Sequence, residues 1–570
     1  MRFLLEYIAN GHTRRFKADF DKAIEENERK GKECRFFVGN SDIMAEVDCL
    51  FNDSNDLDSL SVVLHSRVRV ILKQAVIEMP YRYDKDCDIL LNGYQSWTET
   101  REYKPHEKVH SLDHLPSFIK NKYHFPQYGD SYFFKYDKDI KHSYTWSYIK
   151  HRTGESDLIG SLNDHIAFLI ICHDPANNML RLMSDCAGRE LHGDIRLFDL
   201  IMSKGPALTC QRNYFERFGK SSAPVLYGYT SWYRHYQDIN EKTIYNDLAG
   251  INTADGYDLF QIDDGYETFV GDWLSIDAAK FPHGLATITD EIHSKGLKAG
   301  IWLAPFVAET KSRLCREHPK WILKKDGKDV YAGCNWSGDV ALDIRRDDVW
   351  EYIEKCLCYY KDMGFDLFKL DFLYAAALCS DSMHTRAEIM RESMQRLRDI
   401  LGDRLIIGCG VPLASAFNLV DYCRIGPDIS LSFDDIFYMR FMHRERISTK
   451  TTIQNTIFRT VMDGTVFRCD PDVYLLGDKG NRLTADQKSA LVQIDHMFGS
   501  ICLTGDDIAL YDEEKKKLHD MARALADAEV LDINSRGRNI EIRYAMDGRE
   551  HLMVYDRQSG ILKKDDISKM

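Results

Sequence analysis

From Val225 to Gly505 short apolar runs alternate with amphipathic stretches, and no other feature of the sequence limits the fold as strongly. The runs are VLYGYT (Val225–Thr230), DLFQID (Asp258–Asp263), KAGIWL (Lys298–Leu303) and FDLFKLD (Phe365–Asp371). They continue with LIIGCG (Leu405–Gly410), DYCRIG (Asp421–Gly426), VFRCDP (Val466–Pro471) and SICLTG (Ser500–Gly505). Each has the length of a buried strand. Helical patterns lie between several of them, such as Asp347–Gly364 and Thr385–Leu401, the second with apolar residues at helical spacing. Parallel strands need crossover helices, and eight such units over about 300 residues predict a (β/α)8 TIM barrel. The stretch from Lys311 to Asp343 is too long for one helix and loop, and is read as an insertion on the barrel rim.

The flanks read differently. Before residue 220 short β-like runs are separated by Asp, Asn and Gly clusters: Ser61–Pro80, then runs starting at Ser131 (SYFFKY), His142 (HSYTWSYI), His165 (HIAFLIICH) and Gly193 (GDIRLFDLIM). That punctuation predicts an antiparallel β-sandwich, with Arg212–Ala223 as a helical connector. After Tyr511 a charged amphipathic helix ends the barrel, and two alternating strands around Asp547-Gly548 predict a small C-terminal β domain. The expected organisation is therefore multidomain α/β plus β. It has a sandwich over 1–220, a catalytic barrel over 221–528 and a β appendage over 529–570.

Composition narrows the partners. With 75 Lys+Arg against 89 Asp+Glu the net charge is −14, the wrong sign for a nucleic-acid footprint. No apolar run reaches membrane-spanning length, so no membrane partner is expected. Glu6 interrupts the short apolar start, which does not read as a secretory signal, and a cytoplasmic location is expected. The 15 cysteines lack any CxxC and read as reduced thiols. A homo-oligomer is compatible with the sequence.

Function in such a barrel gathers at the C-terminal strand ends. In order these carry Thr230-Ser231-Trp232, Asp263-Asp264, Trp302, Lys369 with Asp371, Cys409, Arg424 followed by Asp428, Asp470 with Asp472, and Asp506-Asp507. One carboxylate there could cap the next helix. Carboxylates at five strand ends, with tryptophans among them, describe an acidic, aromatic-lined pocket. Two chemistries use one: glycoside hydrolysis by a carboxyl pair, and metal-assisted chemistry. The tryptophans favour the first, because sugar faces stack on indole. His110 and His114, four apart, lack the glutamate of a zinc motif and read as loop histidines.

An ordered motif set then carries a resemblance. It comprises YGYTSWY (Tyr227–Tyr233), QIDDGY (Gln261–Tyr266), GDW (Gly271–Trp273), GIWLAPF (Gly300–Phe306), FKLDF (Phe368–Phe372), GCGxPL (Gly408–Leu413), RIGPD (Arg424–Asp428) and DPD (Asp470–Asp472). The set resembles the α-galactosidases of glycoside hydrolase family 36, in clan D, and NGYQSW (Asn92–Trp97) extends the likeness to the N-terminal region. The resemblance implies Asp371 as nucleophile and Asp428 as general acid and base. It further implies Asp263 and Asp264 as ligands of sugar hydroxyls, Trp302 as a sugar platform, Lys369 and Arg424 as donors, Cys409 as a pocket wall and Trp97 reaching over from the sandwich. Trp232 and Trp273 divide between wall and site, and Asp470 and Asp472 read as structural. Two departures stand out: Cys469 precedes DPD where the family often has Asn, and no Trp follows RIGPD in Ile429–Asp434.

The expected function is retaining hydrolysis of terminal α-D-galactosyl residues from raffinose- or melibiose-like oligosaccharides, without metal or organic cofactor. Transglycosylation or α-N-acetylgalactosaminidase action is the nearest alternative. A metal-dependent barrel enzyme and a non-catalytic carbohydrate-binding protein are the alternatives from other classes.

Overall fold

The computed structural model describes residues 1–27, 31–137, 139–251, 253, 256–434 and 443–565. All eight apolar runs contain a strand, most of them trimmed by a residue or two at one or both ends. Along the sheet the order is Arg468–Asp470, Tyr422–Arg424, Leu405–Gly408, Leu367–Leu370, Lys298–Leu303, Leu259–Ile262, Leu226–Thr230, Ile501–Thr504 and Val473–Tyr474. Every pairing along this path is parallel. The sheet curls so far that its two edges are one stretch of chain, 468–474. Pro471 has no N–H to give a ladder, and Asp472 sits at φ +92°, so the stretch breaks between its two pairings. The Ser500 N–H still donates to the Cys469 carbonyl across the gap at 2.9 Å.

Crossover helices pack outside this sheet. Thr385 and Glu388 form a capping box at the start of Arg386–Leu401, and Thr484 with Gln487 does the same for Ala485–Phe498. Between Lys311 and Asp343 lie a helix, Arg313–Glu317, and the hairpin Lys324–Lys325 with Lys328–Asp329. Val307–Glu309 pairs with Asp339–Ala341 and closes this excursion at its base. No helix among the described residues is long and apolar enough to cross a membrane.

Among the described residues the N-terminal region is one antiparallel network of thirteen strands. Its hub is the 24-residue strand Leu57–Pro80, which pairs with Ile43–Phe51 and Glu190–Pro206 in its first half. Its second half pairs with Arg2–Ala9 and Met179–Ser184. Three expectations need correction. Ser131–Tyr136 is not a strand: Asp130–Tyr132 is a 3₁₀ turn, because buried Asp130 gathers the Tyr136 hydroxyl, His142 and the Tyr144 hydroxyl at 2.6–3.0 Å. The run from His142 is split at Thr145, where φ is +66°. The connector helix is Ala207–Phe215, beginning five residues earlier than expected.

The C-terminal segment forms four antiparallel strands rather than two, the middle hairpin turning at Asp547-Gly548 with both φ positive. One apolar core runs from Trp146 and Tyr214 through the curled sheet to Tyr544 and Tyr555, and the N-terminal network keeps a second core of its own.

Candidate active site

Asp371 directly follows the Leu367–Leu370 strand, and its N–H donates to the Leu303 carbonyl of the neighbouring strand at 2.8 Å. Its Oδ2 accepts the Trp302 indole N–H at 3.1 Å and its Oδ1 the Phe372 N–H at 2.8 Å. Burial pushes the Asp371 carboxyl above its ordinary range, and the Asp428 charge adds to this. Lys369 and donors from Cys409 and Trp302 pull it back. Lys369 pairs directly with Asp263 at 2.9 Å and acts on Asp371 only through space, so burial prevails.

Asp263 and Asp264 end the Leu259–Ile262 strand with different surroundings. Asp263 Oδ2 accepts from Lys369 Nζ, Gln261 Nε2 and Thr230 Oγ1 at 2.7–3.3 Å. Asp264 Oδ2 accepts the Trp336 indole N–H at 2.9 Å and the Gln237 amide at 3.0 Å. Its Oδ1 is buried and receives no N–H or hydroxyl from any described residue.

Arg424 organises the opposite side. Its Nη1 reaches Asp428 Oδ1 at 2.9 Å, Nε reaches Asp470 at 3.2 Å and Nη2 reaches Asp472 at 2.7 Å. The guanidinium is buried, and its carboxylate ring holds it firmly charged despite that burial. Two of its five N–H groups thus donate to protein carboxylates, and a third nitrogen is ion-paired with Asp472. Asp472 also accepts the Tyr233 hydroxyl and the Ile429 N–H, and burial pushes its carboxyl up to about 7. Asp428 alone of the three is partly open to solvent. Asp470 and Asp472 therefore buttress Arg424 and the turn that presents Asp428. Asp506 and Asp507, at the last strand end, are committed elsewhere: Asp506 accepts the Gly477 N–H and the Tyr511 hydroxyl, and Asp507 pairs with Arg234.

Trp97 arrives from the N-terminal network. Its indole N–H donates to Cys409 Sγ at 3.3 Å, and its ring meets Phe372 and Tyr374 edge-on at 5.3 and 5.6 Å. Gly410, at φ +59°, is required there, since a Cβ would lie 2.9 Å from the indole. The loop bearing Trp97 is pinned by Arg459, buried on the Thr449–Arg459 helix. Arg459 spends its donors on Asn92 Oδ1 and on the carbonyls of Gly93, Gln95, Ser96 and Ile425 at 2.6–3.3 Å. No carboxylate pairs with it among these contacts, and burial draws it down to about 9.

Trp273 is buried and meets Trp302 edge-on at 5.7 Å, which makes it wall, while Trp232 packs against Tyr236. Sequence reasoning missed Trp336, Gln237 and Tyr233 as members of the site. Trp336 comes from the rim excursion, and only the unusual Cys-Asn-Trp triplet inside that excursion could have flagged it. Among the described residues no group of three or more His, Cys, Asp or Glu side chains is arranged to hold a metal ion.

The strand ends thus bring together two carboxyls with separate environments, the Asp263–Asp264 pair and three indoles. The Melibiase family profile matches residues 207–397, which carry Asp263, Asp264, Trp302, Lys369 and Asp371. The chain is similar in sequence to curated α-galactosidases. It is 29% identical over 208 residues to the bifunctional α-galactosidase/sucrose kinase AgaSK of Mediterraneibacter gnavus, covering 34% of this chain and 22% of that protein. It is 31% identical over 143 residues to the α-galactosidase AgaA of Geobacillus stearothermophilus, covering 24% of this chain and 19% of that one. These alignments thus span about a fifth of the relatives' own length. Across a whole structure, the stachyose complex of TtGalA, an α-galactosidase from Thermus thermophilus, is similar at a TM-score of 0.67 and 25% identity. That likeness covers 86% of this chain and 99% of that one.

Proposed function

We propose that the chain is a retaining α-galactosidase acting on terminal α-D-galactosyl residues of oligosaccharides. The observation that carries this reading is the pairing of unlike carboxyls at one strand-end site. Asp371 is buried beside Trp302, whereas Asp428 is partly open and held by Arg424. In the first step an Asp371 oxygen attacks the anomeric carbon while Asp428 passes its proton to the glycosidic oxygen, and the aglycone leaves. In the second, Asp428 takes a proton from water, whose oxygen attacks the same carbon and frees Asp371. Trp97 and Trp302 offer indole faces, and Asp263, Asp264 and Lys369 offer polar atoms to the ring hydroxyls. The stachyose bound by TtGalA supports an oligosaccharide as substrate.

The same reading takes the curled parallel sheet as a closed (β/α)8 barrel over 221–528, flanked by a β-sandwich over 1–220 and a β domain over 529–570. The separate core of the N-terminal network and the Ser500–Cys469 hydrogen bond support it. A cytoplasmic site of action fits the free cysteines, all of which except Cys334 are buried or half-buried.

The test is a panel of nitrophenyl glycosides assayed with the native chain and with Asp371→Ala, with and without EDTA. Turnover of the α-galactoside alone, lost in the variant and indifferent to chelation, is expected. Azide added to Asp371→Gly should give the β-galactosyl azide, since azide then attacks from the face the carboxylate has vacated. Loss of activity on chelation would instead favour the metal-dependent alternative.

A further inference from the structure

After Asp263-Asp264 the chain reverses sharply. Gly265 has φ +118°, and a Cβ there would meet the Gln237 carbonyl oxygen at 2.6 Å, so only glycine permits the turn. The reversal carries Glu267 back into the protein, where it is 6% exposed and its carboxyl lies beside that of Asp264. Its Oε2 also accepts the Gly265 N–H at 3.3 Å. Two buried carboxyls in contact cannot both be ionised, so one proton is held between them. Asp264 accepts two N–H groups, from Trp336 and Gln237, which favour its ionised form. The proton therefore resides on Glu267, whose carboxyl burial and the Asp264 charge hold well above the ordinary range. This also accounts for Asp264 Oδ1, buried without any N–H or hydroxyl donor.

We propose that Glu267 is a positioning residue that works as a neutral acid, donating to Asp264 Oδ1 and so fixing the orientation in which Asp264 and Trp336 meet the sugar. The inference rests on the galactoside reading for the identity of the sugar, though not for the shared proton. Other charged or titratable groups face this pair. Asp263 adjoins it on the same loop, and Glu309 bears on Asp264 from the Val307–Glu309 strand. Tyr266 and Tyr360 lie against Glu267, and the Lys280 ammonium donates to the Gly265 carbonyl at 2.9 Å. A variant at 267 itself separates its titration from theirs.

Galactose binding by the native chain, Glu267→Gln and Glu267→Leu is followed by calorimetry between about pH 6 and about pH 10. Raising the pH removes the shared proton, two carboxylates repel, and the native affinity should fall about tenfold or more. The Gln amide donates without titrating, so Glu267→Gln should bind within about threefold of native near neutrality and show no alkaline loss. Glu267→Leu should bind about tenfold more weakly at every pH. The same substitutions should move KM for a nitrophenyl α-galactoside far more than kcat. In infrared difference spectra at neutral pH, native minus Glu267→Gln should contain the carbonyl band of an un-ionised carboxylic acid. Absence of that band, or an alkaline loss that persists in Glu267→Gln, overturns the proposal. If the native chain leaves α-galactosides untouched while the band is present, the substrate reading fails and the shared proton stands.

Discussion

The Trp97 indole donates to Cys409 Sγ at 3.3 Å across 312 residues of sequence, so the N-terminal network supplies one wall of a site otherwise built by strand ends of the curled sheet. That contact depends on Arg459, which among the described residues ties the loop 92–97 to the sheet through neutral acceptors. Arg459→Met would leave those acceptors buried and unsatisfied, at a cost of roughly 3 kcal/mol or more in unfolding free energy. The same variant should raise KM about as much as Trp97→Ala does, with a smaller change in kcat. Denaturant unfolding and steady-state kinetics on both variants check this. A large stability loss with native KM would show that Trp97 does not touch the substrate.

Lys369 lies within electrostatic reach of Asp371 although its hydrogen bond goes to Asp263. Removing it in Lys369→Met takes away the main influence lowering the Asp371 carboxyl and leaves burial unopposed. A nucleophile is active only when ionised, so raising its pKa shifts activity to higher pH. The acid limb of kcat/KM should therefore move up by about one pH unit or more, with weaker binding because Asp263 loses its partner. A limb that stays put or moves down would detach Lys369 from the nucleophile.

Much of this site could be read before any coordinates, for a physical reason. A parallel strand buried on both faces is a continuous apolar run, and the first polar residue after it marks the strand end where side chains emerge. That rule picks out Asp263, Asp371 and Arg424, and in the structure Lys369 pairs with Asp263 while Arg424 pairs with Asp428. What stayed hidden depends on tertiary contact. The Ser131–Tyr136 run has strand composition, yet its aromatic groups are drawn to Asp130 rather than to a ladder. Trp336 reaches Asp264 only because the rim excursion folds over the strand ends. Glu267, three residues past Asp264, carries no signal in the sequence, and only the Gly265 turn makes it a buried partner.

Asp428 reaches solvent at one side while Arg424 grips it from the other, which suits a group that must exchange a proton with a departing oxygen and then with water. Asp428→Ala should therefore depend on the leaving group. Hydrolysis of a galactoside with a poor, alcohol-like leaving group should fall by about 10²-fold or more, while a dinitrophenyl galactoside, which leaves without protonation, should lose far less in its first step. Single-turnover measurements on the two substrates make the comparison. Equal loss on both would remove the proton-donor role from Asp428.

Burial disfavours the charged form of three histidines in the fold. Burial draws His173 and His496 down to about 3 and His519 down to about 4. His173 is enclosed by the Ser147 and Tyr83 hydroxyls, while His496 packs among Tyr227, Tyr474 and His519. The unfolded chain protonates each of them near pH 6.5, whereas the fold keeps them neutral until the pH is two or more units lower. Below about pH 6.5 the unfolded state therefore binds more protons, and stability falls with pH down to the folded values at about 1.4 kcal/mol per unit for each histidine. Between pH 7 and pH 5, His496→Phe should recover about 1–2 kcal/mol of the native chain's loss. Urea unfolding at the two pH values measures this difference, and an equal loss in both proteins would place the acid sensitivity elsewhere.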